Sequence, residues 1–187
     1  MSVSTRDALM KSAEIHLRTK GYAAFSYADL AEEIGIRKAS IHHHFPTKES
    51  LGQALIAQYV EGFTATLRAL DEAHPDPMVR LREFSLLFQR SIHDRLLPLC
   101  GALAAEMAAL PESIQELGRA LLAQQLRWLE KTLVEGAKVH GWKQAAPPAL
   151  RARMLLSALE GASFIDWALG PSAEPLATFN CLLDTLS

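Results

Sequence analysis

The residues with the most chemistry to offer lie close together. From Ser26 to Leu51 the chain reads SYADLAEEIGIRKASIHHHFPTKESL. Ile41 and Phe45 are four apart and share one face of a helix, as Leu30, Ala31 and Ile34 do on the helix before it. With those faces turned inward, Arg37, Lys38, Ser40, His42 and His43 stand outside. Cations, hydroxyls and imidazoles on one short helix suit hydrogen bonding in a major groove. Gly35 supplies the tight turn, so the first helix braces and the second reads: a helix-turn-helix. His42, His43 and His44 invite a metal reading, but successive helix residues point about 100° apart and do not converge on one ion. Ser91, His93 and Asp94 hold a hydroxyl, an imidazole and a carboxylate, yet their spacing on one helix does not converge as a catalytic triad does. No GxSxG, P-loop, HExxH or CxxC pattern occurs, so neither an enzyme nor a metal or cofactor site is expected.

The elements that must position these residues are all helical. Apolar residues recur at three and four, with no strict alternation. Ser26 with Asp29 three residues on reads as a capping pair. Prolines 77, 98, 111 and 175, with 147 or 148, sit where helices begin, and glycines 21, 35, 141 and 170 where they end. This punctuation predicts an all-α chain of about nine helices, at 5–20, 27–34, 38–44, 48–71, 77–95, 99–109, 112–140, 148–169 and 175–186. The ninth shows an apolar stripe of Leu176, Phe179, Leu183 and Leu186. Composition shifts near residue 50, from short polar-studded helices to long Leu- and Ala-rich ones. The expected domains are therefore 1–48, carrying the helix-turn-helix, and 49–187.

The chain has 187 residues, 49 % hydrophobic and 21 % charged, which is globular composition. Net charge is −2, which argues against a general nucleic-acid coat. Two cysteines, Cys100 and Cys181, are too few for a disulfide framework, so a reducing cytoplasm is the expected location. The apolar stretch from Met154 to Leu169 is broken by Glu160 and Asp166 and is too short to span a bilayer.

The segment Leu30-Ala31, Ile34-Gly35-Ile36 and Ser40 to Leu51, with Gly21-Tyr22 and Phe25-Ser26 upstream, resembles the DNA-binding domain of the TetR/AcrR family of bacterial transcriptional repressors. The likeness covers roughly residues 5–55. It implies a repressor that grips a palindromic operator in double-stranded DNA and is released by a small apolar or amphipathic inducer. It implies that Lys38, Ser40 and His43 reach base edges, and that Arg37 reads a guanine or clamps a phosphate. Tyr27 and Lys48 match phosphate contacts, and Ala28 is small enough for the groove wall to approach. His42 stands where the family has a tyrosine, and Arg37 where it has a serine or threonine cap. His44 matches a position packed beneath the helix.

In the larger domain the same resemblance implies a ligand cavity enclosed by the fourth to eighth helices. Candidate lining residues are Phe63, Phe84, Phe88, His93, Met107, Trp128, Phe164 and Trp167. Glu160, mid-helix among apolar residues, faces that cavity or pairs with an arginine such as Arg127. Cys100, at the start of a helix, offers a second chemistry: a thiolate that captures electrophiles. Cys181 reads as packing. A homodimer through the last two helices is expected, with Leu156, Leu159, Phe179, Leu182 and Leu183 as its apolar surface. A helical adaptor that binds protein would need an apolar outer face on the second helix of the pair, which this sequence lacks.

Overall fold

A computed structural model describes residues 4–142, 146–170 and 176–185. Among them the regular elements are nine α-helices: α1 Thr5–Lys20, α2 Tyr27–Ile34, α3 Lys38–His44, α4 Lys48–Ala73, α5 Pro77–His93, α6 Leu99–Ala105, α7 Glu112–His140, α8 Pro148–Leu169 and α9 Ala177–Asp184. A single 3₁₀ turn, Met107–Ala109, lies between α6 and α7. Pro175 and Leu186, expected in the last helix, lie outside the described residues.

The helix ends have chemical causes. Ser4 caps α1 by accepting from the Asp7 N–H, and Ser26 with Asp29 forms a reciprocal capping box on α2. Gly35 ends α2 at φ 74°, in the left-handed region, and its N–H bonds back to Ala31 and Glu32. Asp76 caps α5, and Pro77 and Pro148 take first-turn positions that need no N–H. Three expected spans shorten, the last of them to Ala177–Asp184, with Leu176 and Thr185 outside the helix. The helix foreseen to residue 95 stops at His93, because Arg95 adopts φ 55°. The helix foreseen to residue 109 breaks after Ala105 and resumes as the 3₁₀ turn.

The chain divides into two compact units. Unit 1 takes residues 1–62 and 99–120; unit 2 takes 63–98 and 121–187. In unit 1, α1 packs on α2 and α6, around Leu9, Leu30, Ile41, Leu51 and Ile56, all without solvent exposure. Each such burial stabilises by about 1.5–3 kcal/mol. The turn after α6 is tied in by Glu106, whose carboxylate accepts from the Ala23 N–H at 3.2 Å. That carboxylate sits where a side chain at Gly21 would stand: a Cβ there would lie 1.7 Å from Glu106 Oε1.

Unit 2 packs α5 against α8 and α9. Its core holds Leu81, Phe84, Trp128, Leu129, Leu155, Leu159, Phe179 and Leu183. Leu156, Leu159, Phe179 and Leu183, which sequence reasoning assigned to a dimer surface, are 1–5 % exposed within the single chain. They fill this unit's own interior, and Leu182 packs partly buried against it. The outward apolar residues of α8 are different ones: Leu150, Met154, Ile165 and Leu169, with Gly161 between them.

Candidate functional site

The site starts with α3, which is anchored from beneath. Ile41 is fully buried and Phe45 is 3 % exposed. Tyr27, at the start of α2, donates its hydroxyl to the Phe45 carbonyl at 2.9 Å. This bond pins the end of α3 to α2 and holds the outer face at a fixed angle. Tyr27 is therefore a brace under α3, not the phosphate contact expected of it, because its hydroxyl is buried and already committed. Arg37, Lys38, Ser40, His42 and His43 are all exposed, as is Ala28 on α2. Of these, Arg37, Ser40 and His43 border one shallow hollow, together with Thr5. Arg37 caps α3 by position only, with no side-chain hydrogen bond to the helix.

The histidines divide by role. His42 Nδ1 lies 3.2 Å from the Pro46 carbonyl and packs edge-on to Tyr27, ring centroids 5.1 Å apart. A carbonyl can only accept, so Nδ1 carries the proton, and Nε2 is an acceptor whenever the ring is neutral. His44, expected beneath the helix, is instead exposed and meets His43 edge-on at 5.4 Å. Among the described residues no cluster of three metal-ligating side chains occurs.

Lys48 takes an inward course. Its ammonium donates to the Phe25 carbonyl and lies 4.3 Å from the Phe25 ring centre and 4.6 Å from that of Tyr22. Burial lowers its pKa, partly opposed by the carboxylates of Glu106 and Asp29. The same burial, with Glu49 nearby, raises the Tyr22 hydroxyl to about 12. Lys48 thus holds the α1–α2 loop to the start of α4, where a free phosphate contact was expected. The loop's second tie, Glu106, carried no sequence signal, because its partner is a backbone N–H 83 residues away.

In unit 2 the candidate lining residues separate. Phe84 stacks on Trp128 at 5.1 Å and meets Phe88 at 5.5 Å and Phe63 at 6.3 Å. Phe84, Phe88 and Trp128 are 0–7 % exposed and belong to this unit's hydrophobic cluster. Phe164 and Trp167, expected to face inward, are 38 % and 41 % exposed, and His93 is exposed too. They lie on the outward edges of α8 and α5, where helical period alone does not choose a side. Met107 and Cys100 belong to unit 1, and the aromatic group to unit 2. Cys100 is 3 % exposed, and Cys181, expected to pack, is exposed.

Glu160 is sealed, with neither carboxylate oxygen hydrogen-bonded, so the pairing with Arg127 does not form. Burial raises its pKa to about 8, which makes it a neutral acid at pH 7. A cleft of about 270 Å³ lies between the end of α5 and the last turns of α8. Ile92, Leu96 and Trp167 form its apolar side, and Arg95, Ser163 and Asp166 its polar side. Of these residues the sequence singles out Trp167 as a lining candidate and shows Asp166 only as a charge interrupting an apolar run. No described helix is long and apolar enough to cross a membrane.

Residues 9–55 match the model of the bacterial regulatory proteins of the tetR family. A TetR-family transcriptional regulator from Agrobacterium tumefaciens has 30 % identity and a TM-score of 0.91, with 97 % of each chain covered. A TetR transcriptional regulator from Legionella pneumophila has 26 % identity and a TM-score of 0.88 over the whole of both chains. In sequence, the HTH-type transcriptional repressor DhaR of a Mycobacterium species is 22 % identical over 170 residues, 90 % of this chain and 84 % of its own.

Proposed function

Because the chain belongs to the TetR family of bacterial regulatory proteins, we propose that it represses transcription as a homodimer on a palindromic operator and is released by a small molecule bound in unit 2. The observation that carries this reading is the outer face of α3. Arg37, Lys38, Ser40 and His43 are exposed together on a helix whose inner side is locked by Ile41, Phe45 and the Tyr27 hydroxyl. Such a face presents donors and acceptors to base edges while its angle stays fixed. Residues 1–48 do the reading; residues 49–187 supply ligand binding and dimerisation.

One recognition helix buries too little to specify a genomic site, so two copies read half-sites ~34–36 Å apart. The surface that pairs them is the outward stripe of α8: Leu150, Met154, Ile165 and Leu169 around Gly161, where a Cβ would meet nothing within 4 Å. Small residues flanked by aliphatic ones let two such helices approach closely, and α9 completes a four-helix bundle. Release requires only that ligand and DNA favour different states of one element. α4 is that element, because it begins beside α3 at Lys48 and continues to Ala73, contributing residues to both units.

The test is selection of binding sites from randomised duplex DNA with the full-length protein, followed by titration of the selected duplex. A palindrome bound by two chains is the expected result. Recovery of no sequence-specific duplex would overturn the reading.

A further inference from the structure

We propose that the cleft between α5 and α8 takes a small protonated monoamine with an apolar body, and that Asp166 accepts its N–H groups. The inference rests on the ligand-release reading above and names the chemical class of the ligand.

Asp166 is 7 % exposed, and its Oδ2 is sealed from solvent with no hydrogen-bond partner. Buried carboxylates are costly without a partner, and native interiors almost always supply one. Arg95 lines the same cleft but forms no ion pair with Asp166 within 4 Å. Asp166 is among the residues that line the cleft, so a donor seated there meets its carboxyl group, and against an anion the favoured donor is a cation.

The surroundings sharpen the class. Ser163 gives its hydroxyl proton to the Leu159 carbonyl at 2.8 Å, so its oxygen is left to the cleft only as a second acceptor. Two acceptors side by side select N–H groups, which a primary ammonium carries and a quaternary one lacks. The Trp167 indole, 41 % exposed, offers a π-face that attracts an ammonium. Ile92 and Leu96 supply an apolar wall for the rest of the molecule. Arg95 repels a second positive group, so the ligand bears one. The volume, about 270 Å³, falls just under the ~300–1,000 Å³ of drug-sized sites, which sets the body at one ring or a short chain.

Phenethylamine and its neutral counterpart phenethyl alcohol are suitable probes. Calorimetric titration of the full-length protein should show the amine binding at least tenfold more tightly than the alcohol. Asp166→Asn should abolish that preference. Trp167→Ala, at an exposed position, should weaken amine binding several-fold with the thermal midpoint unchanged, which keeps the proposal testable if the Asp166 variant folds poorly. Equal binding of the two probes, binding of neither, or an amine preference that survives Asp166→Asn would overturn the site. Operator affinity is measured separately by fluorescence anisotropy. Amine binding through Asp166 without loss of operator affinity upholds the site and overturns ligand release from this cleft. Release by compounds indifferent to Asp166→Asn keeps ligand release and overturns the site.

Discussion

Lys38 and Ser40 end in solvent, and neither side chain hydrogen-bonds to another described residue. Their interactions are therefore available to DNA at no loss to the fold. Lys38→Ala should weaken operator binding by about 1–3 kcal/mol and relax discrimination at one base pair, while urea unfolding stays unchanged. A variant series titrated on operators with single substitutions checks this. Tyr27 predicts the opposite division. Tyr27→Phe removes the donor and leaves the buried Phe45 carbonyl unsatisfied, which should destabilise the protein by about 1–3 kcal/mol in a denaturant titration. Its operator affinity should fall equally for all sequences, because α3 loses its fixed angle rather than a base contact. The outward residues of α3 were legible in the sequence because Ile41 and Phe45 mark the inner side. The inward turn of Tyr27 was not, because position one of a helix precedes any periodicity that could assign it.

Helices carry the second kind of information. Caps and stops such as Ser26, Gly35, Asp76 and Pro148 act through neighbours a few residues away, so the helix order was readable from the chain. What binds helices to one another was not, because it joins distant residues. In unit 2, Asp71 of α4 accepts from Arg80 of α5 at 3.0 Å, from Lys131 of α7 at 2.9 Å and from the Trp128 indole at 3.1 Å. Arg80 also donates to Glu135 at 2.5 Å. Burial tends to raise the Asp71 pKa, but the hydrogen bonds from Lys131 and Arg80 outweigh it and hold the carboxyl below its ordinary value. A carboxyl depressed in the folded state lends stability that is complete above its unfolded pKa, about 3.9, and fades as pH falls through the folded value. Thermal midpoints between pH 6 and pH 2 should therefore drop less steeply for Asp71→Asn than for the parent. At pH 7 the same variant should be less stable by about 1–3 kcal/mol, since Arg80, 5 % exposed, keeps only Glu135.

For the whole molecule the surface that bears on the proposed dimer is the outward stripe of α8. The leucines that looked available for a partner are consumed inside unit 2, and the exposed apolar residues lie on the other side of the same helix. Sequence periodicity could not separate the two, because α8 is apolar on nearly every side and a moment vanishes when hydrophobicity surrounds a helix. Ile165 is 59 % exposed, so its replacement leaves the subunit's own packing intact. Ile165→Glu should yield a folded monomer in sedimentation analysis. Affinity for a palindromic operator should fall at least a hundredfold, while a single half-site is bound as weakly as by the parent. A variant that stays dimeric would move the interface elsewhere.

Glu160 makes the protein's folding an exchange of protons with the buffer. Its carboxyl changes from 4.5 in a free chain to about 8 when sealed in α8. Between those two values the unfolded chain is ionised at this position and the folded one is not, so folding takes up a proton. Its stability contribution is therefore fully retained below pH 4.5 and declines as pH rises toward 8, beyond which the loss is complete. Near pH 6.5 unfolding should release close to one proton from this carboxyl. Calorimetric unfolding enthalpies measured in phosphate and in an amine buffer should then differ by the heat of protonating the buffer, and Glu160→Gln should reduce that difference by about one proton's share.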